Sequence, residues 1–473
     1  MPTHRSHQRW TVVLASLGVF MTALDTLVVT TALPSMRISL GGSLSDLEWT
    51  VNAYNLAFAC MLLTGAALGD RFGRRRMFTV GIGIFTAASA AAALSPDVGT
   101  LIAARVVQGT GAAIVMPLTL TLISAAFPVE KRGAAIGLWG GISGLAVAAG
   151  PVVGGAVTGG ISWHWIFWLN VPVGIALIPL AARKLTESFG PRPHLDIPGL
   201  LLAAAGGFGL TWGLIRANDV GWGSAEVIGA ISAGIVLIAA FLAWERRTPT
   251  PMLPLRLFRE RGFSSANGVS FFLYAGLFGA VFMMSQFFQT ALGYSPLQAG
   301  LRLLPWTATP MIVAPIAGAL ADRYGTRRFM VAGLALQGIG LAWVASIAAV
   351  HMTYLELGAA LTVAGVGTSL TFPTVANTVM SSVRPDDAGV ASGTNSALRE
   401  LGGVFGVAVL ASVFARHGSY VSPQDFVDGF TPALWVAAGL SAAGIVAAAL
   451  APGRRTHAPV VPAGLRVAAV EAD

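Results

Sequence analysis

Charged side chains are scarce in this chain: Asp, Glu, Lys and Arg make up 11% of its 473 residues, against roughly 25% in a soluble globular protein. With 55% of residues hydrophobic and a mean hydropathy of +0.72, a folded chain could not keep its surface polar in water. A soluble globular protein is excluded. Cysteine is nearly absent. The single Cys60 lies in an apolar run, so it reads as a packing residue and no intramolecular disulfide is possible. The seven histidines show no metal-ligand spacing, and no metal site is expected. There is no G-x-x-x-x-G-K-[ST] phosphate loop, which argues against ATP as the energy source. The stretch GISGLAVAAG lacks the strand–turn–helix setting of a dinucleotide fingerprint. Short alternating segments of a membrane β-barrel are missing too. No enzyme signature remains, and no cofactor is expected.

Long apolar runs fill the chain instead. Stretches near the 20 residues that cross a bilayer as a helix occur at 10–33, 48–68, 76–95, 99–123, 133–157, 165–182, 196–215, 224–244, 264–288, 297–320, 328–349, 353–378, 393–415 and 430–451. Glycine (57) and proline (25) interrupt many of them, which membrane helices tolerate because neighbours satisfy the freed backbone groups. The expected fold class is an all-α polytopic membrane protein with 14 transmembrane helices. The first run has no small-residue cleavage site and reads as an uncleaved signal anchor. Basic residues set the orientation. With both termini in the cytoplasm, only Arg37, Arg216 and Arg416 face outward, and Arg105, Arg302 and Arg399 fall within or at the edges of spans. The rest lie in cytoplasmic loops or the tail. The net charge of +8 thus reflects topology, and no nucleic-acid partner is expected.

Two loops repeat. AALGDRFGRRR (66–76) follows the second span and GALADRYGTRR (318–328) follows the tenth, with Asp70 and Asp322 separated by 252 residues. The repeat predicts two six-helix bundles related by a pseudo-two-fold axis, residues 1–182 and 261–473, as in transporters built on parallel repeats. Residues 183–260 then carry an inserted pair of helices and its cytoplasmic connectors. In each loop a glycine, Gly73 or Gly325, allows a tight turn. A carboxylate, Asp70 or Asp322, can meet a neighbouring helix N-terminus or pair with Arg71, Arg74 or Arg323. An ordinary basic loop is the alternative, and the duplication argues against it. The fourth span, with LIAARVVQGTGAA (101–113), contains Arg105. An intramembrane arginine costs about 2.5–3.5 kcal/mol on insertion scales and usually faces the bundle interior. The fifth span holds Gly150, Pro151, Gly154 and Gly155. Small residues four apart allow close helix approach, and Pro151 can kink the helix.

These motifs resemble those of the fourteen-helix drug:proton antiporter family of the major facilitator superfamily. The loop pattern G-x-L-a-D-r-x-G-r-k is matched at Leu68, Asp70, Arg71, Gly73 and Arg74, with Ala66 in place of the first glycine. The pattern l-x-x-x-R-x-x-q-G-x-g is matched at Leu101, Arg105, Gln108, Gly109 and Gly111, and G-P-x-x-G-G at 150–155. The resemblance implies a conformational latch between halves at Asp70, Arg71, Gly73, Arg74, Asp322, Arg323 and Gly325. It also implies proton handling by Arg105, for which a structural donor snorkelling to the outer surface is the alternative, and an exporter's antiporter motif at Gly150–Gly155.

Acids fall almost entirely in loops and at helix ends. Asp25 is different: it lies near the middle of the first span, with no obvious local counter-ion. Desolvation raises a carboxylate's pKa and a nearby cation lowers it, so such a group can alternate between protonated and charged states. Asp25 is the candidate proton carrier, with a structural aspartate as the alternative. The family pattern D-x-T-x-V-N-V-A-L-P is matched at Asp25, Val29, Ala32, Leu33 and Pro34, but Leu27 and Thr30 replace its Thr and Asn. Asn52, Tyr54, Gln286, Gln289 and Asn377 are candidates to line a substrate cavity, with Phe282, Phe287 and Trp306 as aromatic contacts. The expected function is proton-coupled efflux of lipophilic or cationic drugs by alternating access. The protein would work as a monomer in a bacterial cell membrane, driven by the proton motive force. An exporter of one metabolite, lipid or self-made antibiotic, or a transport-inactive sensor, is the alternative.

Overall fold

In a hydrocarbon layer each backbone N–H must find its partner within its own segment, and every apolar run here becomes helix. The computed structural model describes residues 2–190, 196–249, 251–352, 354–384 and 387–452. The first half comprises α1 (Pro2–Leu40), α2 (Leu44–Phe72), α3 (Arg74–Ala93), α4 (Val98–Ala126), α5 (Val129–Gly160), and the pair α6 (Trp165–Trp168) and α7 (Asn170–Lys184). The insert is α8 (Ile197–Val220) and α9 (Ala225–Glu245). The second half is α10 (Arg261–Gln286), α11 (Pro296–Thr307), α12 (Thr309–Tyr324), α13 (Thr326–Ile347), α14 (Tyr354–Ser381), α15 (Ala388–His417) and α16 (Pro423–Ala449). No strand occurs among the described residues.

Among the described residues, 12 helices are long and apolar enough to cross a membrane, and α2, bent by 49° near Leu62, makes a 13th. The remaining predicted span, 297–320, is carried by two shorter helices, α11 and α12, which meet at Ala308. Pro305 inside α11 and Pro310 at the start of α12 explain the break, since proline removes a donor and clashes with the preceding turn. The equivalent turns Gly73 and Gly325 take φ of +103° and +91°. Only glycine adopts that backbone without strain, so each turn joins two helices through that single residue.

These turns mark one face of the molecule, here the basic face. On the opposite face the halves are sealed together. One continuous core there contains Val28 and Leu33 of α1 with Phe282, Met283 and Phe287 of the second half. The α5–α11 contact is closer still. A Cβ at Gly155 would lie 2.2 Å from the Pro296 carbonyl oxygen, and one at Gly300 would lie 2.0 Å from that of Pro151. Ser285 donates to the Thr30 carbonyl (2.8 Å) and Gln289 to that of Thr31 (3.0 Å). The Arg37 guanidinium sits 3.5 Å over the Tyr420 ring. Toward the basic face the halves keep largely separate cores, one around Phe78, Phe85 and Leu118, the other around Phe263, Met330 and Leu334.

The insert docks through α8 onto α2 and α15, at the junction of the halves. Trp49 packs against Phe208 and Trp212 there, with centroids 5.8 Å apart in each pair. On α9, Ile228, Ile235 and Val236 are more than half exposed, as lipid-facing side chains would be.

The seam depends on side chains being absent at Gly155 and Gly300. Overpacking of this kind costs about 1–3 kcal/mol or more, so Gly300→Val should disfavour closure. In a Cys60→Ser background, a cysteine replacing Gln289 should then react faster with an impermeant thiol reagent. Unchanged labelling would count against a seam of this tightness.

Candidate functional site

Asp25 is 1% exposed, midway along α1. No counter-ion is near it in sequence, but the fold supplies one from 80 residues away. Asp25 Oδ2 accepts from Arg105 Nη1 at 2.5 Å. Its Oδ1 accepts from Gln108 Nε2 (2.8 Å) and Asn170 Nδ2 (3.0 Å). Arg105 and Gln108 are three residues apart on α4, hence on one face, and Arg105 Nη1 also donates to Gln108 Oε1 at 2.7 Å. Arg105 Nε donates to the Thr50 carbonyl at 3.1 Å, and its guanidinium lies 4.2 Å over the Tyr54 ring. Ser89 of α3 accepts from Gln108 (2.9 Å) and Asn170 (3.4 Å). Five helices of the first half, α1, α2, α3, α4 and α7, thus converge on one carboxylate.

The arrangement follows from desolvation. A buried ion pair offsets the loss of water only when further hydrogen bonds satisfy its remaining donors and acceptors. Arg105 is 1% exposed and turned inward, so it does not snorkel to the surface. Both Asp25 oxygens are occupied from within the first half, which leaves neither to meet a substrate's positive charge in this conformation. Thr50, Ser89 and Asn170 were not singled out from the sequence. Asn170 offered the one signal, an amide just inside an apolar span.

The predicted cavity residues do not gather at one site. Tyr54 is buried beneath Arg105. Gln286, fully buried, accepts from the Tyr420 hydroxyl and donates to the Phe282 carbonyl (3.1 Å). Gln289 bridges the halves at Thr31. These two glutamines belong to the seam and not to a cavity wall. Phe282, Phe287 and Trp306 are at most 1% exposed and serve as core. Asn52 is buried with both amide atoms unpartnered, while Asn377 lies on an exposed part of α14. The second half adds a buried membrane acid of its own. Glu400 lies well inside the 30-residue α15, is 8% exposed and pairs with Arg399 at 3.5 Å.

In the loop motif, Asp70 Oδ1 accepts from Arg74 Nε at 2.9 Å. The chain beyond α7 clamps this turn. Arg74 N–H donates to the Ser188 carbonyl (2.9 Å), Gly190 N–H to that of Asp70 (3.1 Å), and the Glu187 carboxylate accepts from the N–H groups of Arg75 (2.9 Å) and Arg76 (3.3 Å). The partners of Asp70 therefore lie in its own half and its connector, whereas the latch reading expected them across the halves. Arg71 and Arg323 each sit over the neighbouring ring, Phe72 or Tyr324. The side chain of Asp322 lies outside the described residues. At the start of α15, Arg256 from the other connector reaches Asp387 at 2.6 and 2.9 Å and holds that carboxyl below the usual carboxylate range. Gly150 and Gly154 meet α1 at Leu27 and Val28, so the G-P-x-x-G-G stretch brings α5 against both α1 and the other half.

Comparison with known proteins agrees with this architecture. A model of the Major Facilitator Superfamily matches residues 15–288 and, again, 266–470. The chain belongs to that superfamily. It is 33% identical to the tetracenomycin C resistance and export protein of Streptomyces glaucescens, over 89% of this chain and 79% of that one. It is 35% identical to the multidrug resistance protein Stp of Mycobacterium tuberculosis (86% and 76%) and 34% identical to the methylenomycin A resistance protein of Bacillus subtilis (88% and 89%). Among solved structures, a peptide transporter POT bound to sulfate superposes with a TM-score of 0.68 at 14% identity, covering 94% of this chain and 96% of that one. A D-xylose-proton symporter gives 0.65 at 15%, covering 94% and 97%. At these identities the structures speak for the superfamily fold alone.

Removing either partner of the buried pair strands the other charge. Arg105→Met leaves Asp25 uncompensated and Asp25→Asn leaves Arg105 so, each a loss of about 3–5 kcal/mol. Each should lower the melting temperature in detergent, and the double variant should recover part of the summed loss. Strictly additive losses in the double variant would contradict the pairing.

Proposed function

We propose that this protein is a secondary active exporter that moves lipophilic small molecules out of the cell against inward proton flow. The carrying observation is the buried, fully hydrogen-bonded Asp25 with Arg105, Gln108 and Asn170. A proton placed on Asp25 removes an acceptor from Arg105 and changes the packing preference of α1 against α4 and α7. Protonation then carries a different free energy in each conformation, which is what coupling requires. The halves, residues 1–182 and 261–473, would alternate about Asp25 while residues 183–260 follow. The seal on one face and the separate cores on the other support a stage at which substrate would be loaded from the basic face.

Several observations support the setting. The excess of arginine on the basic face supports a cytoplasmic position for it and for both termini, in a bacterial cell membrane with the monomer as the working unit. The names of the relatives, resistance and export proteins for antibiotics, support small-molecule efflux over uptake. One relative is named for the export of a single compound, tetracenomycin C, and that supports a narrow substrate range as the second reading. The proton motive force would be the only energy source.

Everted vesicles energised by an imposed proton gradient give the test. Dye accumulation should fall at least tenfold with Asp25→Asn, and to the same level in wild type when the gradient is collapsed. Accumulation that survives either treatment would sink the proton-coupled mechanism.

A further inference from the structure

Resting on the export reading, the geometry points to an anion-binding subsite in the second half, built on Arg399, that selects lipophilic aromatic substrates carrying a carboxylate or equivalent oxyanion. A small cavity of about 40 Å³ lies between α10, α14 and α15, lined in part by Ser270, Tyr274, Phe372, Asn395 and Arg399. That is more than the space of one water and suits a single carboxylate-sized group.

Three features give this cavity its sign. First, Arg399 is under-satisfied. Its Nε has no acceptor, its ion pair is the single 3.5 Å contact with Glu400, and the Tyr274 hydroxyl is its other side-chain partner. Adjacent helical residues diverge by about 100°; Arg399 lines the cavity, whereas Glu400 does not. Second, the Ser270 hydroxyl is a donor left to the cavity, because Asn395 spends both of its N–H groups. Asn395 Nδ2 donates to Ser270 Oγ at 2.7 Å and to Asn267 Oδ1 at 3.1 Å. Ser270 Oγ is thereby used as an acceptor, and its own hydrogen remains available to the cavity. Third, the walls are aromatic. The guanidinium stands 5.0 Å over the Tyr274 ring and 5.8 Å over that of Phe372, a residue 43% exposed.

A planar guanidinium with free N–H groups matches a carboxylate in a two-pronged hydrogen bond, and the exposed Phe372 ring would take the flat apolar body. The cavity lies on the side where the halves keep separate cores, so a substrate would reach it from the basic face. Both oxygens of Asp25 are already occupied by Arg105, Gln108 and Asn170, so Asp25 presents no free carboxylate oxygen to a cation in this conformation.

Fluorescein and rhodamine 6G test this directly, since they share a xanthene body and carry opposite charge. Binding to the purified full-length protein in nanodiscs is read by fluorescence anisotropy at neutral pH. Wild type should bind fluorescein at least tenfold more tightly than rhodamine 6G. Arg399→Gln should weaken fluorescein at least tenfold and leave rhodamine 6G within twofold; Arg399→Lys should fall between. Asn395→Asp, which fills the subsite with a carboxylate while keeping Arg399, should abolish the preference and so covers the case in which Arg399→Gln fails to fold. No preference for fluorescein in wild type, or equal weakening of both dyes by Arg399→Gln, overturns the subsite. Because binding is measured without a gradient, a protein that binds fluorescein but does not move it in vesicles would count against export alone.

Discussion

A carboxylate and a guanidinium in the middle of an apolar bundle hold the first half of this molecule to its shape. Neither is tolerable there alone, and neither is satisfied by the other alone. Asp25 takes three donors from three side chains, and Arg105 spreads its donors over a carboxylate, an amide and a backbone carbonyl. Because those groups come from five helices, the bundle cannot rotate one of them without exposing a buried polar atom. On the proposed mechanism, that shared constraint is what would let a single proton bias all five helices at once.

The second half is organised differently, although it carries the same loop motif. It has a buried arginine and acid side by side on α15, with one long contact between them and no surrounding shell comparable to that of Asp25. One half therefore stores its charges in a closed network, while the other leaves a guanidinium facing a cavity. On the proposed mechanism the proton would be handled on one side of the molecule and the cargo met on the other.

Much of the fold was legible because hydrocarbon imposes one rule on the whole chain. The spans appeared as apolar runs, and Gly73 and Gly325 appeared as a repeat, since a positive φ between abutting helices admits no other residue. Ala308 shows where that rule stops. Hydropathy sees an unbroken run, whereas Pro305 and Pro310 divide it into two helices. The site was legible in its charged members, because a charge in an apolar run stands out. Thr50 contributes only a carbonyl, which every residue has, and Ser89 is a small side chain among many, so neither carried a signal. Gln286 and Gln289 were misread as cavity lining for a related reason. A polar residue inside a span must face protein, yet sequence does not say whether that protein surface is a cavity or a closed seam.

The inserted pair is fastened at both ends. Glu187, Ser188 and Gly190 grip the turn at Gly73 in the first half, and Arg256 grips the start of α15 in the second. Between those two points α8 rests across the junction. Any swing of one half against the other changes the distance between the fastenings, and the insert must stretch, slide or let go. It is in effect a tie-bar, which limits how far the two halves can part on the basic face for as long as both clasps hold.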